Sequence, residues 1–253
     1  MNIAIVTGAS SGMGAELARQ VDRIYENGID EIWLIARRAE RLESLSHSLN
    51  HKAKIIPMDL TNNKDMHELF VLLQNENPNI KLLANASGYG IIGQFKDIPR
   101  KEQSGMVRLN CEALTDVTHM ALKYMHRGAR IIQFASSASF APQSGFAVYA
   151  ASKAYVMSFS RALNAELKKE GITVTAVCPG PVKTEFFDVA ERHGKVLDIK
   201  KYIMSDAKNV VKKALVDSYH RRSVSVYSAP MNILRFLTKI LPHDVILFFT
   251  NLL

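Results

Sequence analysis

Short apolar runs alternate along the chain with longer segments in which apolar residues recur every three or four positions. Each short run suits a strand buried on both faces, and turn or polar residues flank it. These runs predict strands at residues 3–6, 32–35, 55–58, 82–84, 131–134, 174–177 and 224–227. The longer segments predict helices at residues 13–25, 39–49, 64–74, 101–125 and 150–169.

Buried strands that alternate with helices are typical of a parallel sheet covered on both faces. The pattern therefore predicts an α/β fold, a single doubly wound Rossmann-type domain over residues 1–253 with a seven-stranded, mainly parallel sheet. Residues 181–205 break the rhythm, because they are mixed in charge and weakly periodic. They follow a predicted strand at the end where ligands bind in such sheets, so we interpret them as a substrate lid.

Composition narrows the class of protein only slightly. Hydrophobic residues make up 47% and charged residues 22%, which excludes a disordered or fibrous chain. The 32 Lys and Arg exceed the 24 Asp and Glu by 8, so the net charge is +8. Such an excess fits nucleic acid, an anionic membrane surface or an anionic small ligand. The basic residues are spread out in short doublets, which disfavours nucleic acid.

Several residues that often carry chemistry have a plain interpretation here. Cys111 and Cys178 are far apart, as expected for free thiols in a reducing compartment. His47 and His51 have the spacing of a metal pair, but a third ligand is missing, so we expect a solvated pair and no metal. The first residues do not form a secretory signal, which favours a cytoplasmic location.

A glycine cluster follows the first predicted strand and opens the first predicted helix. In that position, glycines let backbone N–H groups approach a pyrophosphate at the positive end of the helix. The loop predicts a dinucleotide site formed by Gly8, Ser10, Ser11, Gly12, Met13 and Gly14.

The end of the second predicted strand selects the cofactor. A carboxylate there would accept hydrogen bonds from a ribose 2′-OH, whereas arginine pairs with a 2′-phosphate. The chain has Arg37 and Arg38 just beyond this strand and no acid at its end. It therefore favours NADP(H) over NAD(H).

A second cluster suggests acid–base chemistry. Tyr149 and Lys153 are four residues apart, so they project from one helix face. A neighbouring ammonium lowers the pKa of a phenol, which makes the pair suitable for proton exchange with an alcohol or carbonyl. Ser136, at the end of a neighbouring strand, can hold the substrate oxygen, with adjacent Ser137 as the alternative.

The chain resembles the compact single-domain branch of the short-chain dehydrogenase/reductase family. The resemblance covers residues 3–227 and rests on an ordered set of motifs: Thr7-Gly8-x-x-x-Gly12-x-Gly14, Asp59-Leu60, Asn85-Ala86-Ser87-Gly88, Asn110, Ser136, Tyr149-x-x-x-Lys153 and Pro179-Gly180-x-x-x-Thr184. One departure is the third of these, where the family usually has Asn-Asn-Ala-Gly.

This resemblance implies a role for each matching residue. Tyr149 is the general acid/base, and Lys153 lowers its pKa and binds the nicotinamide ribose. Ser136 orients the substrate carbonyl, and Asn110 anchors a water that links Lys153 to solvent. Cofactor contacts are implied for Asp59, Leu60, Asn85, Ala86, Pro179, Gly180, Val182 and Thr184.

The predicted function is NADP(H)-dependent hydride transfer between nicotinamide and a secondary alcohol or ketone. The alternative is a non-catalytic NADP(H) sensor or scaffold. Apolar loops at residues 90–98 and 181–205 hint at an apolar substrate. Family resemblance implies a homodimer or homotetramer.

The C-terminal tail, residues 231–253, is apolar but too short and interrupted to span a bilayer. It has three interpretations: packing over the cleft or a subunit neighbour, weak peripheral contact with a membrane, or a lid for a lipid-like substrate.

Overall fold

Seven parallel strands form the centre of the structure, a computed structural model that describes residues 1–24, 28–194 and 204–251. The sheet order is β3-β2-β1-β4-β5-β6-β7, and every neighbouring pair is parallel. This confirms the predicted doubly wound α/β fold. The strands are β1 (Asn2–Thr7), β2 (Glu31–Ala36), β3 (Lys52–Pro57), β4 (Asn79–Asn85), β5 (Arg130–Phe134), β6 (Thr173–Val177) and β7 (Val224–Ser225).

Helices connect the strands. Asn62 and Asp206 cap two of them, because each side chain accepts a hydrogen bond from the amide two residues on. The helices are α1 (Gly12–Ile24), α2 (Ala39–Ser46), α3 (Asn63–Glu76), α4 (Arg100–Val107), α5 (Leu114–Leu122), α6 (Ala147–Glu166), α7 (Phe186–Ala190), α8 (Ala207–Tyr219), α9 (Ala229–Ile240) and α10 (His243–Asn251).

The two faces of the sheet bury separate apolar layers. Ala4 and Val6 of β1 point to one face, where α1, α2 and α8 cover them. Ile3 and Ile5 point to the other face, which α3, α5 and α6 cover. Trp33 of β2 is fully buried in this second layer. Burial on both faces explains why the strands appear in the sequence as continuous apolar runs.

One predicted helix is interrupted. Residues 101–125 do not form a single α-helix, because a π-helical turn at Arg108–Ala113 separates α4 from α5. Asn110 lies in this turn, and its side-chain amide hydrogen-bonds both backbone groups of Tyr89. Insertions of this kind are frequent at functional sites, and here the turn connects the helix to the loop after β4.

The predicted lid is tied together at its two ends. Val182 and Ser205 form a parallel bridge, and the Ser205 amide donates to the Pro181 carbonyl at 2.8 Å. The segment includes α7, whereas its residues 195–203 lie outside the described part of the chain. The apolar tail forms α9 and α10. Within the described ranges, no helix combines the length and apolar character needed to cross a membrane.

Candidate active site

A cavity of about 1640 Å³ opens at the carboxyl ends of the strands. In doubly wound sheets, ligands bind there, where the strand order reverses between β1 and β4. Most of the predicted site residues line it, namely Gly8, Ser10, Ser11, Gly12, Met13, Gly14, Arg37, Arg38, Asp59, Leu60, Ala86, Ser136, Tyr149, Lys153, Pro179, Gly180, Val182 and Thr184. Asn85 and Asn110 are buried behind its wall.

The glycine loop leaves no room for a side chain at Gly8 or Gly14. Gly8 has φ +67°, and a Cβ there would lie 2.7 Å from the Ser87 amide nitrogen. A Cβ on Gly14 would lie 2.3 Å from the Gly8 carbonyl oxygen. The missing side chains therefore let this loop pack tightly on itself and on the loop after β4, at the start of α1, where N–H donors can hold a phosphate group.

Arg38 lies across the edge of the glycine loop. Its guanidinium donates to the Ser10 hydroxyl at 3.0 Å, to the Ser11 hydroxyl at 2.9 Å and to the Glu185 carboxylate at 2.9 Å. Arg41 pairs with the same carboxylate. The spacing of residues had predicted Arg38 but not Glu185, which lies 147 positions further along the chain.

Asp59 follows β3 and faces the same end of the cavity as Arg37. Burial raises the pKa of the Asp59 carboxyl, but hydrogen bonds from the Thr61 amide and hydroxyl and the charge of Arg37 outweigh it, so the net shift is downward. Thr61 donates to Asp59 Oδ1 at 2.9 Å and 2.7 Å. A carboxylate held by Thr61 thus lies near Arg37.

The acid–base cluster lies at the other end of the cavity. Tyr149 and Lys153 are in the first two turns of α6, and both are buried. The Ser136 hydroxyl lies close enough to the Tyr149 phenol to lower its pKa. Lys153 Nζ donates to the Phe134 carbonyl at 2.7 Å and lies 5.8 Å from the centre of the Tyr149 ring. Of the two adjacent serines, Ser136 is thus the one that acts on the phenol.

Burial controls the protonation of this cluster. It raises the pKa of Tyr149 to about 12, although the hydrogen bond with Ser136 opposes the shift. This is the reverse of the lowering expected from a nearby ammonium. Burial also lowers the pKa of Lys153 to about 8, with the Cys111 and Cys178 thiols opposing. At neutral pH the phenol therefore keeps its proton.

Asn110 and Asn85 hold the wall of the cavity. Asn110 Nδ2 donates to the Tyr89 carbonyl at 2.9 Å and to the Ser152 hydroxyl at 3.0 Å. A Cβ on Gly88 would lie 2.9 Å from Asn110 Oδ1 and 3.2 Å from Lys153 Nζ. Asn85 donates to the Thr118 hydroxyl at 3.0 Å, which links β4 to α5. Both asparagine side chains are thus fixed by protein contacts.

Comparison with known proteins identifies the family. The family profile described as short chain dehydrogenase matches residues 2–194. The chain belongs to the short-chain dehydrogenase/reductase family. An uncharacterised oxidoreductase of Staphylococcus epidermidis is 29% identical to this short-chain dehydrogenase/reductase over 195 residues, which cover 75% of this chain and 83% of the relative. The protein studied is thus an oxidoreductase of a family that binds nicotinamide cofactors.

Two solved structures extend the likeness to this short-chain dehydrogenase/reductase. A short-chain dehydrogenase from Sphingobium yanoikuyae in complex with NADPH is 28% identical, with a TM-score of 0.78, covering 89% of this chain and 87% of that one. A bulky-bulky ketone specific alcohol dehydrogenase from Comamonas testosteroni is 26% identical, with a TM-score of 0.75, covering 94% and 92%.

Aromatic residues that the motifs did not reveal surround Tyr149 in this short-chain dehydrogenase/reductase. Phe146 stacks on its ring with centroids 4.2 Å apart, and Phe186 of α7 lies at 5.4 Å. Phe146 precedes Tyr149 by three residues, a spacing that places both on one helix face and was a usable signal. Phe186 is brought in by the tertiary fold. Further apolar lining comes from Ile91, Val189, Met231, Leu234 and Ile246.

The histidine pair differs from the prediction. His47 is exposed and lies just past the end of α2, whereas His51 is nearly buried. His51 Nδ1 lies 2.9 Å from Asp22 Oδ1 of α1, and the His51 amide also donates to this carboxylate. The interaction ties the start of β3 to α1, so His51 is not a solvated residue.

Proposed function

We propose that this protein is an NADP(H)-dependent oxidoreductase that interconverts ketones and secondary alcohols, with Tyr149 as the general acid/base. The observation that carries the proposal is the burial of Tyr149 next to Ser136 and next to Lys153, whose ammonium lies 5.8 Å from the centre of the phenol ring. These groups share one cavity with the tightly packed glycine loop. A proton donor and a dinucleotide cradle at opposite ends of one groove suit hydride transfer coupled to proton transfer.

The adenosine end supports NADP(H) over NAD(H). Arg37 and Arg38 line the cavity there, and Arg38 is already bonded to two serines of the glycine loop. A guanidinium forms forked, charge-assisted hydrogen bonds with a phosphate. The S. yanoikuyae relative, which is in complex with NADPH, is consistent with this preference. When bound, the cofactor supplies or accepts the hydride.

Three side chains take part in proton transfer to the substrate oxygen. Because its pKa is raised to about 12, Tyr149 is fully protonated at neutral pH and is ready to donate to a carbonyl oxygen. Ser136 donates a second hydrogen bond to that oxygen as negative charge develops on it. The Lys153 ammonium, 5.8 Å from the ring centre, offsets the charge left on the phenolate.

The lining of the cavity supports an apolar ketone. Phe146 and Phe186 cover the two sides of Tyr149, and Met231, Leu234 and Ile246 add aliphatic surface from the C-terminal helices. The C. testosteroni relative, specific for bulky-bulky ketones, agrees with a substrate that has two large apolar substituents. We expect turnover to increase along a series of ketones from acetone to benzophenone, measured through nicotinamide absorbance.

Cofactor preference provides the direct test of the adenosine end. We expect NADPH to bind at least about tenfold more tightly than NADH. A tenfold difference in Kd corresponds to about 1.4 kcal/mol, and charge-assisted hydrogen bonds to a phosphate contribute about this much or more. Arg38→Ala should remove most of this difference and leave the affinity for NADH nearly unchanged. Binding is measured by titration calorimetry.

Arg41→Ala is the matched control, since Arg41 also pairs with Glu185 but does not line the cavity. It should keep the preference for NADPH. Equal affinities of the wild type for the two cofactors would contradict the assignment. So would an Arg38→Ala variant that loses both cofactors equally.

A further inference from the structure

One face of α9 is apolar yet exposed. Ile233, Phe236 and Ile240 are 59%, 63% and 61% exposed, and Leu237 lies between them on the same face. Their spacing of three, four and seven residues defines a continuous stripe along the helix. Val245 extends the apolar surface onto α10. We call these five residues the outer face. A helix normally buries such a stripe, and a cluster of this kind marks an interaction site.

The opposite side of α9 belongs to the cavity. Met231 and Leu234 line it, and Met231 packs so closely on Gly180 that a Cβ there would lie 2.9 Å from its sulfur. Ile246 of α10 lines the same cavity. The helix is therefore a thin wall, with the substrate space on one side and the outer face on the other. An apolar medium against the outer face would be separated from that space by one helix.

Charge distinguishes between the two occupants that such a surface can have. Lys239 is an exposed cation on α9 beside the outer face, and the whole chain carries +8. Arg235 lies on the other side of this helix, near the buried Cys178. A second copy would meet the outer face through a two-fold axis, which brings identical surfaces and like charges together. Asp244, in the first turn of α10, is the one acid among residues 229–248. A bilayer with anionic headgroups is complementary to Lys239 and to the positive net charge of the chain.

We propose that the outer face docks on the surface of an anionic lipid bilayer, with α9 lying in the plane of the interface. Helices of this type bury their apolar face roughly 5–10 Å into the headgroup boundary, while cations remain among the headgroups. With 12 residues, α9 is about 18 Å long, which is enough to lie on a bilayer but too short to cross it. Docking opens the enzyme to apolar compounds dissolved in the membrane.

Vesicle sedimentation of the full chain tests the proposal. We expect the wild type to sediment with vesicles of phosphatidylcholine and phosphatidylglycerol, and much less with phosphatidylcholine alone or at high salt. The double variant Phe236→Ser/Ile240→Ser should weaken vesicle binding by at least about tenfold, because burying one large apolar side chain in lipid increases the affinity about tenfold. Lys239→Gln should weaken binding to the anionic vesicles only.

Phe70→Ser/Val71→Ser is the matched control. It removes two exposed apolar side chains from α3, which packs on α5, and should sediment like the wild type. Emission from Trp33, the one tryptophan, reports whether each variant is folded, because this residue is fully buried. Vesicle binding needs no turnover, so this proposal and the proposed reaction can fail independently.

Three results would overturn the proposal. The first is a folded wild type that sediments with neither vesicle. The second is equal binding by the wild type and the Phe236→Ser/Ile240→Ser variant. The third is a dimer, measured by light scattering, that becomes a monomer in this variant, because the outer face would then be covered by a second copy.

Discussion

At the scale of single residues, the buried ammonium of Lys153 destabilises the folded protein. It is buried, and burial lowers its pKa to about 8 from an ordinary value of 10.5. Between these two values the unfolded chain binds more protons than the folded chain, so this lysine makes stability rise with pH there. Below about pH 8 the charge is present in both states, and the full cost of burial applies.

Lys153→Met should therefore stabilise the fold while it removes activity. At pH 7 we expect the free energy of unfolding to rise by about 2 kcal/mol. This is the free-energy cost of burying the ammonium, which the substitution removes, minus the contribution of its hydrogen bond to the Phe134 carbonyl, which is lost. The gain should shrink as the pH increases from 8 towards 10. Urea unfolding at several pH values measures it, with exposed Lys101→Met as the control. A loss of stability that is independent of pH would contradict this account.

Glu185 hydrogen-bonds the Arg38 guanidinium, which in the proposed function binds the 2′-phosphate of NADPH. Hydrogen bonds from Arg41 and Arg38 lower the pKa of its carboxyl, so it is ionised at neutral pH and competes with a bound phosphate. Because the ion pair between Arg38 and Glu185 is exposed, its interaction free energy is small. Glu185→Gln should tighten NADPH binding about threefold to fivefold and leave NADH binding unchanged.

Glu43→Gln is the control for this change, because it alters the net charge equally on the exposed side of α2. Titration calorimetry at low and high salt measures both variants. A Glu185→Gln variant that binds NADPH less tightly than the wild type would show that the carboxylate supports the phosphate site instead.

At the scale of elements, the glycine loop gives a test of the cradle between β1 and α1. Gly8 and Gly145 have nearly the same backbone, with φ +67° and +69°, but a Cβ at Gly145 meets nothing within 4 Å. Gly145→Ala should cost about 1 kcal/mol of stability from backbone strain alone. Gly8→Ala should cost more, about 2 kcal/mol or above, because its Cβ also collides with the loop after β4.

Thermal unfolding compares the two glycine variants, and titration of NADPH follows the site. Gly8→Ala should also weaken NADPH binding, whereas Gly145→Ala should not. Equal losses of stability would show that the close approach of Gly8 to Ser87 has no energetic role.

The same elements show what the sequence could predict. The strands and most helices follow from apolar periodicity, and their order along the chain fixed the motif positions. The π-helical turn at Arg108–Ala113 did not follow from periodicity; the contact between Asn110 of this turn and Tyr89 joins residues 21 positions apart. The histidine pair was misinterpreted for the same reason, since Asp22 reaches His51 from another element.

At the scale of the whole molecule, the doubly wound sheet was predictable because all its central strands are buried on both faces. Glu185 and Phe186 were not, since long-range folding brings the segment after β6 against α2 and α6. Part of the positive charge that gives the net value of +8 can be assigned to two places in the structure. Arg37 and Arg38 line the end of the cavity that we propose for adenosine, and Lys239 lies beside the outer face.

The most direct test of the proposed reaction is a single-turnover measurement on Tyr149→Phe. The enzyme is loaded with NADPH and mixed with the ketone that the wild type reduces fastest. Loss of the proton donor should slow hydride transfer by at least about a hundredfold, while NADPH affinity stays within about twofold of the wild-type value. An unchanged rate of NADPH oxidation by this variant would contradict the role of Tyr149 and the account built on it.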